Sequence, residues 1–227
     1  MQNSEIKTKK ICANVFQISE LSEAAKQVAR QNWIENNNDG DWYSSVYEDA
    51  ADIADLMGID IRTRIVKLHG GQYRYDAINI GFSGFSCQGD GAHFQGTYRY
   101  AKNAAKAVRE YAPLDEELHR IVDALQAVQR TAFYGITASV KHSGHYSHQY
   151  CTDIDVSMTE DRYGNDRWPC EDVEDTVTEL LRDFMQWIYG ELQTAYEHFT
   201  SDEAIDERLT EEGCYFAKDG KETIAIH

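Results

Sequence analysis

The chain has 227 residues, 42% of them hydrophobic and 27% charged, and carries a formal net charge of −17. That length suits one large domain or two small ones, with one favoured because only 2 prolines and no Pro- or Ser/Gly-rich linker are present, and no run approaches the roughly 18 apolar residues that a spanning helix needs. So negative a chain is repelled by nucleic-acid backbones and attracts cationic partners.

The opening stretch MQNSEIKTKK lacks the apolar core of a signal peptide, so the expectation is a cytoplasmic protein. Residues 1–15 read as a tail or edge segment. The five cysteines, Cys12, Cys87, Cys151, Cys170 and Cys214, show no CxxC spacing, which argues for reduced thiols over a disulfide framework or zinc ribbon.

In chain order, Ser22 is placed to cap a helix carrying Ala25, Val28, Ala29 and Trp33, which the run Asn36-Asn37-Asn38-Asp39-Gly40 ends. A second helix aligns Val46, Ala50, Ile53, Ala54 and Met57, with Gly58 as its C-terminal cap. RTRIVKL and YRYDAINIGF flank His69-Gly70-Gly71-Gln72 as a hairpin. Ile78, Ile80 and Phe82 alternate, as do Ala92, Phe94, Gly96, Tyr98 and Tyr100, predicting a second hairpin with Asp90-Gly91 as its turn.

A helix capped by Asn103 then runs to Pro113. Another spans about Asp115 to Phe133 on a stripe of Leu118, Ile121, Val122, Leu125, Val128 and Ala132. Two strands follow, with Ile136, Ala138 and Val140 on the first and Thr152, Ile154, Val156 and Met158 on the second. KHSGHYSHQY joins them. A long amphipathic helix carries Val173, Val177, Leu180, Leu181, Phe184, Ile188 and Leu192, and Thr200 with Glu203 fits a capping box for a last short helix. Residues 213–227 read as a tail or edge strand. The whole predicts a single α+β domain over 1–227: an antiparallel sheet of β-hairpins, covered by helices, with a long amphipathic C-terminal helix.

If both hairpins join one sheet, the glycine-rich loop FSGFSCQGDGAHFQG and the histidine loop emerge at the same edge. That edge gathers Ser83, Ser86, Cys87, Gln88, Gly89, Asp90, Gly91, His93, His142, His145, Tyr146, His148, Tyr150 and Asp153. Three readings compete. In the plainest, Gly89-Asp90-Gly91 is only a tight turn of type I′ character. In the second, two histidines join Asp90 in holding a divalent metal, with Asp90, His93, His142 and His148 as candidate ligands. In the third, the glycines admit a small polar ligand, or Asp90 orients His142 or His148 as a catalytic base. No GxSxG, P-loop or papain-like cysteine context is present.

Charge is uneven. Residues 171–212 contain 14 carboxylates against two arginines, with Glu171, Asp172, Glu174, Asp175, Glu179 and Asp183 on the polar face of the long helix. Acidic groups at a helix start complement its dipole, and an array of them also steers association with a basic partner.

Several stretches carry a family resemblance: NIGFSGFSCQGDGAHFQGTYRY, EYAPLDEELHRIVDALQAVQR, VKHSGHYSHQY, EDTVTELLRDFMQWIYGELQTAYEHFTSDEAI and EEGCYFAKDG. They resemble a phage and prophage family of Proteobacteria commonly labelled "antitoxin of toxin–antitoxin stability system". The similarity runs over nearly the whole chain after its first residues and is most specific from Ser86 to Gly96. His142 and His148 match positions shared with that family. His145 and Asp153 fall where its members vary. The resemblance implies a mobile-element setting and a partner-binding role, and it brings no catalytic residues. Without a basic recognition helix, such an antitoxin would bind its toxin directly.

Together these readings point to an acidic protein that binds and neutralises a protein partner, a toxin or a host-defence factor, in the cytoplasm of a bacterial host. Tyr146 and Tyr150 would be loop anchors. No cofactor is expected. The alternatives are a hydrolase-like enzyme, metal-dependent or not, using Asp90 with His142 or His148, and a small-ligand binder at the glycine loop.

Overall fold

In a computed structural model the described residues are 14–37, 41–67, 71–159, 167–221 and 223–224. The tail expected over 1–15 falls almost wholly outside them. So do residues 38–40, in the run expected to end the first helix, and residues 69–70 of the first hairpin turn.

The elements run α1 (Glu23–Asn37), α2 (Ser44–Met57), β1 (Ile59–Ile61), β2 (Thr63–Lys67), β3 (Tyr73–Ile78), β4 (Ile80–Ser83), β5 (Gly91–Phe94), β6 (Gly96–Arg99), α3 (Ala104–Tyr111), α4 (Glu116–Thr131), β7 (Ile136–His142), β8 (Thr152–Met158), α5 (Glu171–Phe199), α6 (Asp202–Glu211), β9 (Tyr215–Phe216) and β10 (Thr223–Ile224). The fold is α+β with antiparallel pairing throughout. Among the described residues no helix is long and apolar enough to cross a membrane. By its contacts the chain divides into two compact units, one of Met1–Trp42 with Tyr196–His227, the other Tyr43–Ala195.

The first unit closes on Ile18, Leu21, Ala25, Ala29, Ile205 and Phe216, with Trp33 packed against them. Phe16 and Phe216 exchange backbone hydrogen bonds of 3.0 and 2.8 Å. Arg30, 7% exposed, donates to both oxygens of Asp206 and to Asp202 at 2.6 to 2.8 Å, fixing α1 to α6. The cap of α6 is Ser201, whose Oγ accepts from the Ala204 N–H, and not Thr200. The Thr200 hydroxyl instead donates back to the Tyr196 carbonyl at the end of α5.

In the second unit β1, β6, β7 and β8 form a four-stranded sheet in that order, while β2–β3 and β4–β5 are separate pairs. The two hairpins therefore do not share one continuous sheet. The expected long strands are interrupted at Asn79 and Gln95, where backbone bonds from Arg62 to Gln95, Asn79 to Arg62 and Gln95 to Asn79 replace the ladder. Helices pack on the strands as the apolar stripes require. Phe94 meets Phe184 of α5 edge-on at 5.9 Å, and Leu118, Ile121, Val122 and Leu125 of α4 are buried. Gln129, wholly buried in α4, donates to the Ile136 carbonyl at 2.8 Å and the Tyr98 hydroxyl at 3.2 Å. Its Oε1 accepts from the Ile136 N–H at 3.2 Å, so the polar group at the start of β7 is satisfied. Asn103 stands at the N-cap of α3 as expected, but in a left-handed conformation and without a side-chain cap bond.

Candidate functional site

β4 pairs with β5 in the register Ile80↔Phe94 to Ser83↔Gly91, so residues 84–90 form a seven-residue loop and not the expected two-residue turn. The reason is Asp90. Its Oδ2 accepts from the Ser86 N–H at 2.9 Å and the Cys87 N–H at 2.7 Å, and its own N–H donates to the Cys87 carbonyl at 3.1 Å. Gly89, at φ 104, supplies the left-handed third position of that reversal. The two backbone donors hold the Asp90 carboxyl below the usual carboxylate range. Aromatic contacts fix the loop: Phe85 stacks on Phe82 at 5.8 Å, and Tyr189 lies 5.4 Å from Phe85 while its hydroxyl donates to the Gly84 carbonyl at 3.0 Å.

Although the hairpins lie in separate sheets, their loops meet. His93 is 6% exposed, and its ring stacks on His142 with centroids 3.6 Å apart and planes at 14°. It covers Gly81, where an added methyl would stand 2.5 Å from Cε1. Gln95 reaches toward the His142 carbonyl at 3.4 Å, and Nε2 of His142 bonds the Tyr146 carbonyl at 2.9 Å. A methyl on Gly91 would stand 3.0 Å from the His148 Cα, and one on Gly89 would touch the Tyr146 ring. Burial first, then His142 and Arg64, pushes His93 down to about 4, so it is neutral at pH 7. His148 caps a short 3₁₀ turn: its Nδ1 accepts from the Tyr150 N–H at 3.2 Å, and its ring stacks on Tyr150 at 5.4 Å.

The structure thus brings Gly89, Gly91, His93, His142, Tyr146 and His148 together. Ser83 flanks the loop on β4, Ser86 contributes a backbone donor, and Gln88 is exposed within the turn. His145 is exposed and meets Tyr146 edge-on, and Asp153 is exposed opposite Lys141. No hydrogen bond among the described residues joins Asp90 to a histidine. The catalytic pairing of Asp90 with His142 or His148 would have to form from an arrangement in which each already bonds backbone groups. Among the described residues no three His, Cys, Asp or Glu side chains gather as a metal ion requires. The His93–His142 stack also sets the two rings face to face and does not converge their nitrogens on one point. Sequence reasoning missed Gly81, Gln95, Phe85 and Tyr189. Gly81 is the cross-strand partner of His93, a relation that only the pairing of β4 with β5 reveals. Phe85 did leave a sign, as a large apolar residue inside a glycine-rich loop.

The acidic helix divides in two. Asp183 pairs with Arg120 and Glu179 with Arg182, at 2.6 and 2.7 Å. Glu171, Asp172, Glu174 and Asp175 are exposed and make no ion pair among the described residues. Trp168, just ahead of them, is 79% exposed. The histidine loop docks on the same helix: Gln149 donates to Gln186 at 3.0 Å, and the Arg182 guanidinium lies 4.9 Å over the Tyr150 ring, which stays 62% exposed.

No curated protein and no solved structure matches the chain. One family does match, over residues 42–202, a span that holds every loop and helix of this site. The chain belongs to that family, a domain of unknown function designated DUF8835.

Proposed function

We propose that this chain is a binding protein that captures a basic protein partner and neutralises it, as an antitoxin-like or anti-defence inhibitor in the cytoplasm of a phage- or prophage-bearing bacterium. The observation that carries the reading is the opening of α5. Four exposed carboxylates without ion pairs among the described residues, Glu171, Asp172, Glu174 and Asp175, follow a tryptophan that is 79% exposed. Helix-dipole complementarity accounts for acidic residues there, but not for a solvent-facing indole beside them. Large aromatic anchors next to steering charge are what a protein interface uses. Tyr150 lies under Arg182, which is about 10 Å further along the helix than Asp175, and so extends the same surface. The resemblance to the phage family supports the setting.

The test is affinity capture from phage-bearing cells with the wild-type chain and two variants. One carries E171K, D172K, E174K and D175K; the other is Trp168→Ala. The reading expects a basic protein retained by the wild type, released by about 0.5 M salt, where charge attraction is screened within a few ångströms, and lost in both variants while their circular dichroism is unchanged. Capture of the same proteins by all three chains would refute it.

A further inference from the structure

At the end of β7 remote from His142, the second unit contains a cavity of about 400 Å³. Its wall carries two tyrosines, Tyr100 and Tyr134, two cations, Lys106 and Arg130, and two amides, Asn103 and Gln126. The tyrosine rings lie 4.5 Å apart at 41°, and Tyr134 remains 47% exposed. Arg130 is exposed and makes no ion pair among the described residues, and Lys106 has only a loose one, 3.6 Å from Glu110. The one carboxylate on the wall, Asp123, is taken on both oxygens by Arg109 at 3.0 and 2.6 Å. Gln126 donates its amide N–H to the Ala101 carbonyl at 3.1 Å, which fixes the side chain and leaves its oxygen to accept.

Two further facts set this place apart. In a chain of net charge −17, the stretch RYAKNAAKAVR over residues 99–109 holds four cations and no carboxylate. The non-glycine residues with left-handed φ among the described residues are Asn103 (64°), Phe133 (53°) and Tyr134 (61°). Two of them are on the cavity wall and the third adjoins it. Phe133 and Tyr134 adopt that conformation where α4 ends, the Tyr134 N–H donating to the Gln129 carbonyl at 2.7 Å, and that turn carries Tyr134 to the cavity wall.

We propose that this cavity binds a mononucleotide. The volume lies within the range of small-ligand sites. The exposed face of Tyr134, backed by Tyr100, takes the planar base, Arg130 and Lys106 take the phosphate, and the Asn103 and Gln126 amides meet the polar edge of the base. A free nucleotide is favoured over a nucleic-acid strand because the −17 charge repels a polyanion.

The experiment is calorimetric titration of the whole chain with the four nucleoside 5′-monophosphates, inorganic phosphate and a 5′-phosphorylated single-stranded oligonucleotide. At least one monophosphate is expected to bind with a Kd below about 1 mM. Arg130→Gln and Lys106→Gln should each weaken it about tenfold, the loss of one charge-assisted contact. Tyr134→Gly is the decisive variant. Glycine accepts a φ of 61° without strain, so its melting temperature should hold or rise while binding is lost. No binding of any monophosphate at about 1 mM, equal affinity for inorganic phosphate, tighter binding of the oligonucleotide, or undiminished binding by Tyr134→Gly would each overturn the proposal.

Discussion

A buried imidazole whose Nδ1 finds no partner among the described residues gains nothing from being charged, and His93 is in that position. Its ordinary value of 6.5 is pushed to about 4. Between those two values the unfolded chain binds a proton at this residue and the folded chain does not. The folded state therefore loses stability as pH falls from 6.5 toward 4, by up to about 1.4 kcal/mol per pH unit, and keeps its full stability above 6.5. Urea titrations of the wild type and His93→Phe across that range should diverge in this sense, and parallel curves would show that His93 carries no such linkage. Gly81 is tied to the same ring. A methyl there meets Cε1 of His93 at 2.5 Å, and the ring, stacked on His142, has nowhere to go. Gly81→Ala is expected to destabilise by about 1–3 kcal/mol and to shift the His142 imidazole resonances. The sequence placed His93 and His142 at one edge but showed neither their face-to-face stack nor Gly81 against the His93 ring, because Gly81 faces His93 only through the pairing of β4 with β5. The Asp-Gly pair misled for a related reason. Asp90 bonds the backbone of Ser86 and Cys87, closing a longer loop than the pair alone implies.

At the scale of elements, Asp115 joins two helices. Its Oδ1 accepts from the Leu118 N–H at 2.9 Å as the cap of α4, and its Oδ2 accepts from Trp187 Nε1–H of α5 at 2.8 Å. Asp115→Ala removes both bonds. It should destabilise by about 1–3 kcal/mol, while Asp115→Asn, which keeps an acceptor oxygen, should lose less; equal losses would mean that the charge and not the cap is what matters. The helices were the most legible elements, since the stripe from Leu118 to Ala132 is buried as its spacing required. The alternation of Ile136, Ala138 and Val140 likewise sets the inward face of β7. The interruptions at Asn79 and Gln95 were hidden, because apolar alternation continues through them. The strand β1, three residues long, is too short for any period to reveal it.

For the molecule as a whole, a charge of −17 is a standing repulsion. The internal ion pairs Arg120–Asp183 and Arg109–Asp123 are largely exposed and add little against it. Raising salt from about 0.02 to about 0.3 M should therefore raise the melting temperature at neutral pH, as screening weakens the repulsion; a fall would show that the pairs outweigh the net charge. Fold class and the meeting of the two loops were readable at this scale. The division into two units was not, because its evidence lies in contacts such as Arg30 with Asp206, 176 residues apart. That separation has a consequence during synthesis. Residues 43–195 leave the ribosome as one uninterrupted stretch and can fold while translation continues. The Phe16–Phe216 bridge must wait until residue 216 has been made, so α1 stays without the surface it finally covers while all of 43–195 is synthesised.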